Sequence, residues 1–119
     1  MARQLITPAE TSGPWPSTAA NAGGVALTET AANATDKEEM YLTGRELLIA
    51  RNAGASARVV TINSVADPET GRTGDITESV PAGEMYVLGP FSMKGFKQSN
   101  GKINFEAAHS DIKWSAIRY

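Results

Sequence analysis

The sequence of 119 residues contains no cysteine and a single histidine, His109. The absence of cysteine excludes a disulfide framework, a thiolate metal site and a cysteine nucleophile. A histidine that acts as a general base needs a nucleophile within hydrogen-bond reach and usually a third group that orients it. Ser110 and Asp111 follow His109 directly, but neighbours in a turn point in different directions. We therefore predict a solvated turn histidine, no catalytic residue and no enzyme.

The sequence also lacks an excess of charge of one sign and a long apolar run. Its 11 basic and 13 acidic residues give a net charge of −2, whereas nucleic-acid-binding domains usually carry a basic stripe. The clearest apolar run, LLIA at 47–50, is far shorter than the ~18–20 residues of a membrane span. The N-terminus has no apolar signal-peptide core. We therefore expect a soluble protein with no nucleic-acid or membrane partner.

One acidic loop, which contains Asp67, Glu69 and Asp75, invites comparison with a calcium site. It lacks the dense Asp/Asn alternation of a cation-binding loop, and Arg72 lies in its middle. Turn chemistry accounts for its Asp-Pro and Gly-Asp pairs without a metal. The run GRTGD in the same loop is not a phosphate-binding loop, because the Lys-Ser/Thr pair and the following helix are missing. No metal or cofactor is predicted.

The first 23 residues differ from the rest in composition. They contain three of the six prolines and only two charged residues, and neither helical nor strand periodicity fits them. Such segments favour extended backbone with few internal hydrogen bonds. Trp15 lies between Pro14 and Pro16. The two prolines restrict the backbone on both sides of this large apolar side chain, which suits a contact with a partner. We predict an extended arm over residues 1–23 that packs against another subunit or partner. The alternative is a flexible leader.

From residue 24 onward, short apolar stretches alternate with turns rich in glycine and proline. Strands are predicted at 25–29, 40–52, 57–65, 76–80, 84–89, 91–96, 102–108 and 111–119, and a loop with at most one helical turn at 29–40. About eight short strands at 8–12-residue spacing indicate an all-β fold, an antiparallel β-sandwich resembling a jelly roll. We place this single domain at residues 24–119.

Seven aromatic residues are distributed along this domain. They could form a platform for glycan or base stacking, but they lie in at least five different segments, so core packing is the favoured interpretation. They are Tyr41, Tyr86, Phe91, Phe96, Phe105, Trp114 and Tyr119.

Three stretches of the sequence resemble a group of small virion proteins of tailed bacteriophages and prophages. They are TGRELLIARNAGASARVVTINSVADPETGRTGDIT at 43–77, VPAGEMYVLGPF at 80–91 and SNGKINFEAAHSDIKWSAIRY at 99–119. Members of the group share a succession of GRE-hydrophobic-RN-G, TI-SV-D-GRTGDI, AGE-GPF and a terminal D-K-A-R pattern. The first forty residues match only through a proline-rich leader of similar character.

The resemblance implies a structural virion protein encoded among the head genes. The role it favours is a capsid decoration (cement) protein, made in the bacterial host cytoplasm and placed on the outer surface of the phage head. Its partners would be the major capsid protein and further copies of itself, with a trimer as the expected oligomer. Two alternatives stay open: a neck, head-completion or tail component, and a glycan-binding β-sandwich.

Two sets of residues are predicted to contact partners. In the arm they are Ile6, Pro8, Pro14, Trp15 and Pro16, and at a polar interface rim they are Arg45, Arg51 and Arg72. For the three arginines the alternative is ordinary surface salt bridges, which contribute little to stability.

Overall fold

A computed structural model describes residues 2–11 and 24–119. Nearly all of the regular structure in these two ranges is strand, which confirms the predicted all-β class. The elements are β1 Gln4–Leu5, β2 Ala9–Glu10, β3 Thr30–Ala31, β4 Glu38–Tyr41, β5 Glu46–Asn52, β6 Arg58–Asn63, β7 Ile76–Val80, β8 Met85–Leu88, α1 Met93–Phe96, β9 Lys102–Ala107 and β10 Ile112–Arg118.

The strands form two mixed sheets. Sheet I has the order β1-β4-β9-β6-β7, and sheet II has the order β2-β10-β5-β8, with β3 also paired to β10. The pairs β1–β4 and β2–β10 are parallel and the other pairs are antiparallel. The prediction of purely antiparallel sheets is therefore wrong at two pairs. Both involve two-residue strands, which are too short to carry a sequence pattern.

One apolar cluster contains buried residues from both sheets. Sheet I contributes Ile62 and Phe105 among others, and sheet II contributes Leu48 and Trp114. The rings of Phe105 and Trp114 meet edge to face, with centroids 4.7 Å apart. Both side chains are fully buried, so this aromatic contact joins the two sheets at the centre of the core.

A buried carboxylate reinforces the same contact. Glu38, on β4 of sheet I, accepts a hydrogen bond of 2.8 Å from the Trp114 indole N–H of sheet II. It also accepts one of 2.7 Å from the backbone N–H of Asn33. Burial raises the pKa of Glu38 above its ordinary value, although the bonds from Asn33 and Trp114 oppose that rise.

The first described residues belong to both sheets. β1 lies at the edge of sheet I and β2 beside β10 in sheet II, and Ile6 between them is 3% exposed and part of the core cluster. Arg3 adds a hydrogen bond of 3.1 Å from its guanidinium to the carbonyl of Glu38. The beginning of the predicted arm is thus paired at sheet edges. Residues 12–23 lie outside the described residues.

Three predicted elements differ from the structure. Residues 25–29 contain no strand, and the predicted loop at 29–40 contains β3 and the start of β4. The start of β4 was not predicted because it lies in the charged run at 36–39, where the residue that points inward, Glu38, is a carboxylate. The predicted strand at 91–96 is wrong: α1 lies there, and the helical turn brings Phe91 and Phe96 within 5.7 Å of each other. In a strand these two residues would point to opposite faces.

Candidate interaction surface

The outward faces of the two sheets differ in chemistry. On sheet I, Lys102 pairs with Glu39 at 2.8 Å, and Lys37 pairs with Glu106 at 3.2 Å. The Lys102 ammonium also lies 4.9 Å from the centre of the Tyr41 ring. Charged side chains joined across neighbouring strands suit a face in contact with water. We call these residues the polar face of sheet I.

Sheet II presents apolar side chains outward. Leu48 and Ala50 of β5 belong to the core cluster, and side chains alternate along a strand, so their neighbours on β5 point away from the core. The strand register places outward residues of β8 and β10 beside them. The apolar members of this set, which we call the apolar face of sheet II, are Leu47, Ile49, Met85, Val87 and Ile117.

Exposure varies across the apolar face of sheet II. Ile49 is only 6% exposed although it is not part of the core cluster. Its neighbour Ser115 is buried as well, and within the described residues its hydroxyl has no hydrogen-bond partner. Met85 and Val87 on β8 are 54% and 60% exposed. The face is therefore covered at its centre and open along β8.

Arg51 is the predicted rim residue that lies on this face. Both guanidinium donors Nε and Nη2 bond to the Glu29 carboxylate, at 2.6 and 2.8 Å. This hydrogen bonding lowers the pKa of Glu29 and raises that of Arg51. The pair ties the segment before β3 to sheet II. Arg51 thus forms the surface salt bridge that was the alternative to a partner contact.

The other two predicted rim residues lie elsewhere. The Arg45 guanidinium is 5.9 Å from the centre of the Tyr119 ring, near the end of β10. Arg72 is exposed in the loop between β6 and β7, where its carbonyl accepts a hydrogen bond from the Asp67 N–H at 2.9 Å. The structure does not bring the three arginines together into one rim.

The acidic loop is organised by turn hydrogen bonds. The Asp67 carboxylate accepts from the backbone N–H groups of Glu69 and Thr70, at 2.8 and 3.2 Å. Asp75 accepts from the backbone N–H of Ser64 at 2.8 Å, and this bond lowers the pKa of Asp75. This is the turn chemistry expected from the sequence. Within residues 2–11 and 24–119, no three His, Asp or Glu side chains converge as a metal site.

His109 lies in the turn between β9 and β10. Its Nδ1 accepts a hydrogen bond of 3.0 Å from the backbone N–H of Asp111, and the side chain is exposed. The histidine is thus exposed in a turn, as predicted, and its ring also accepts a hydrogen bond within that turn.

Of the predicted arm residues, Ile6 and Pro8 line one groove. The groove has a volume of about 430 Å³ and lies between residues 5–9 and the segment before β3, which contributes Val25 and Ala26. Ile6 is a core residue at the same time, whereas Pro8 is partly exposed. Pro14, Trp15 and Pro16 lie outside the described residues, so their partner contacts stay predictions.

Sequence reasoning did not assemble the apolar face of sheet II, although the run LLIA at 47–50 is typical of a strand covered on both faces or lying at a subunit contact. In β8 all four residues are apolar, so the alternation that separates the two faces of a strand is absent from its sequence. The signal that could have revealed the face is the combination of this run with Leu47, Ile49 and Ile117 at the outward positions of β5 and β10.

No helix in the described ranges is long and apolar enough to cross a membrane. No family model matches the sequence, and no curated protein or solved structure matches it either.

Proposed function

We propose that this protein is a non-enzymatic structural component of a tailed-phage virion, specifically a capsid decoration protein that binds and stabilises the lattice of the major capsid protein. The observation that carries the proposal is the contrast between the two outward faces. One carries two ion pairs between charged side chains, and the other presents apolar side chains beside Arg51 and Lys113 and is open along β8. A protein bound to a shell needs one face for its partners and one for the solvent. The sequence resemblance to phage virion proteins supplies the class of partner.

The attachment requires no reactive group. An apolar surface gains about 25 cal/mol for each Å² removed from water, and the residues of the apolar face of sheet II supply such surface. Each copy can bind with modest affinity, because simultaneous contacts at several sites raise the overall affinity by ~10²–10⁴. The polar face of sheet I would remain hydrated on the outside of the particle.

The finer fold and assembly belong to the same proposal. We infer a jelly-roll-like β-sandwich, supported by the core that both sheets share. The arm predicted at residues 1–23 would contact another subunit or partner through Pro14, Trp15 and Pro16 among others. Self-association follows from the resemblance, which implies a trimer.

Co-sedimentation with empty shells of the cognate major capsid protein tests the function. We expect the full chain to pellet with the shells and to saturate at a fixed ratio to the capsid subunits. Failure to pellet would contradict the decoration role. Binding to an isolated portal or tail ring with six or twelve copies would instead assign the protein to the neck or tail.

Replacement of Trp15 by alanine should weaken attachment by about 2 kcal/mol per copy or more, because buried aromatic anchors dominate protein interfaces. The measurement is the occupancy of shells over a concentration series. Tyr41→Ala is the matched control, since Tyr41 is an exposed aromatic residue on the polar face of sheet I. Equal occupancy for Trp15→Ala and the unmodified protein would show that Trp15 does not contribute to the interface.

Replacement of Ile117 by lysine should weaken shell binding about tenfold or more, because it places a charge within the apolar face of sheet II. Val59→Lys is the control, since Val59 is 43% exposed on β6, in the other sheet. Thermal unfolding establishes that both variants fold. If Val59→Lys lost binding while Ile117→Lys retained it, the assignment of the binding face would be wrong.

A further inference from the structure

β8 forms one edge of sheet II. It pairs with β5 over four aligned positions, from Arg51 with Met85 to Leu48 with Leu88. Among the strands that the structure describes, none lies on its other side. An edge strand presents backbone N–H and C=O groups that can template the addition of another strand.

The hydrogen bonds around β5 show which backbone groups of β8 point outward. The N–H of Asn52 donates to the carbonyl of Glu84 at 2.9 Å, toward β8, whereas the N–H of Ala53 donates to Asp111, toward β10. Because hydrogen-bonded positions alternate along an antiparallel pair, Tyr86 and Leu88 bond to β5. The backbone groups of Met85 and Val87 therefore point away from the sheet.

The same two residues are the most exposed apolar side chains of sheet II, at 54% for Met85 and 60% for Val87. Natural edge strands are usually protected by charge, proline or a bulge. β7, at the edge of sheet I, follows that rule with the exposed Glu78. β8 has the sequence MYVL, with neither a charged residue nor a proline. Outward backbone groups and exposed apolar side chains thus coincide on a strand that no other described strand covers.

We propose that β8 pairs with β8 of a second copy of this chain, antiparallel and about a two-fold axis at Tyr86. This register places Met85 opposite the partner subunit's Val87, and it lets the outward backbone groups of both residues form hydrogen bonds. It is self-complementary because the two-fold axis pairs the same segment with itself, and residues 85–88 carry no charge. Glu84 lies opposite the partner subunit's Leu88, so the two Glu84 carboxylates are separated by four residues of strand, roughly 13 Å.

The pairing joins the two copies of sheet II into one continuous sheet and joins their apolar faces. It rests on the self-association that is part of the proposed function, and it predicts a two-fold pair as the building unit where the resemblance implies a trimer. A trimer built through another surface would leave β8 uncovered. The molecular mass in solution separates these assemblies.

Light scattering coupled to gel filtration, run on the full chain over a concentration series, tests the stoichiometry. We expect a mass of two copies for the unmodified protein and of one copy for Val87→Lys, because lysine on this strand opposes edge pairing. Val59→Lys is the control and should keep two copies. A mass of one or three copies for the unmodified protein would overturn the proposal.

Cross-linking tests the register without depending on the stability of the lysine variant. The chain contains no cysteine, so single substitutions report single contacts. Met85→Cys and Val87→Cys, mixed and oxidised, should yield a disulfide-linked dimer, because opposed residues in an antiparallel pair lie within disulfide range. Each variant oxidised alone should yield several-fold less. Equal yields in all three reactions, or no product in the mixture, would exclude the register.

Neither measurement uses capsid shells. A protein that is monomeric in solution yet saturates shells would overturn the β8 pairing and leave the decoration role intact. A protein that has a mass of two copies but does not bind shells would support the β8 pairing and overturn the decoration role.

Discussion

Replacement of Trp114 by alanine should lower the free energy of unfolding by about 3–5 kcal/mol, the range measured when large buried aromatic residues are truncated. Trp114 is fully buried and packs on Phe105 with ring centroids 4.7 Å apart. Its loss leaves a cavity between the sheets and removes the indole N–H that bonds to Glu38. Urea unfolding followed by circular dichroism measures the change.

Trp114→Phe separates the packing from the hydrogen bond. Phenylalanine retains an aromatic ring against Phe105 but has no donor for the buried Glu38 carboxylate. We expect a loss of about 1–3 kcal/mol, the cost of an unsatisfied buried polar group. The pKa of Glu38, already raised by burial, should rise further, because the Trp114 bond lowers it. A fall in that pKa, observed by NMR titration, would contradict the role of the indole.

Replacement of Glu46 by glutamine should cost about 3 kcal/mol, since it removes one partner of a buried ion pair. Glu46 is fully buried and accepts bonds from the N–H and hydroxyl of Thr43 at 2.8 and 2.6 Å. It also accepts from the N–H of Gly44 at 3.1 Å and from the Arg118 guanidinium. The carboxylate therefore holds the turn before β5 and the end of β10 together.

The same carboxylate makes stability depend on pH. Burial alone would raise the pKa of Glu46, but the bonds from Thr43 and Arg118 outweigh it and the folded-state pKa lies below the ordinary 4.5. The stabilising contribution is complete above the ordinary pKa and is lost as the pH falls through the folded-state pKa. Glu38 has the opposite sign: its pKa is raised above the ordinary 4.5, so its contribution is present below that pH and is lost as the pH rises through the raised folded-state pKa.

Urea unfolding near neutral pH and below pH 4.5 tests the Glu46 prediction. The stability difference between the unmodified protein and Glu46→Gln should shrink at the lower pH. Glu106→Gln is the control, because Glu106 pairs with the exposed Lys37 at 3.2 Å and such pairs contribute about 0–1 kcal/mol. A difference that stayed constant with pH would show that the charge of Glu46 does not contribute.

Longer strands that contain apolar core residues in a recognisable pattern were predictable from the sequence. β9 alternates Ile103, Phe105 and Ala107 with polar residues, and β10 contains the core residue Trp114. β1, β2 and β3 have two residues each. Pairing with neighbouring strands therefore determines where they form, and local sequence preference does not. The predicted strand at 40–52 includes only the second half of β4, because the first buried position holds Glu38, whose burial depends on Trp114, 76 residues away.

The sequence led us to expect partner contacts rather than a reaction site, but it did not show which face of the protein would make them. The absence of reactive motifs and the resemblance to virion proteins predicted a protein that acts through its surface. Arg51 does lie on the apolar face of sheet II, but it forms a salt bridge with Glu29 of the same chain. Which side of β8 faces outward depends on its register with β5, and that register involves residues more than thirty positions apart.

The pairing of β2 with β10 has a consequence for how the chain reaches its native state. The two strands are far apart in the sequence: Ala9 aligns with Ile117, and Arg118 bonds to Glu10, 108 positions away. β2 has no strand to join until β10 has been synthesised, because β10 is its one partner among the described strands. Contacts of such sequence separation slow folding. β2 is therefore synthesised well before its partner strand, and sheet II is complete only after β10 is available.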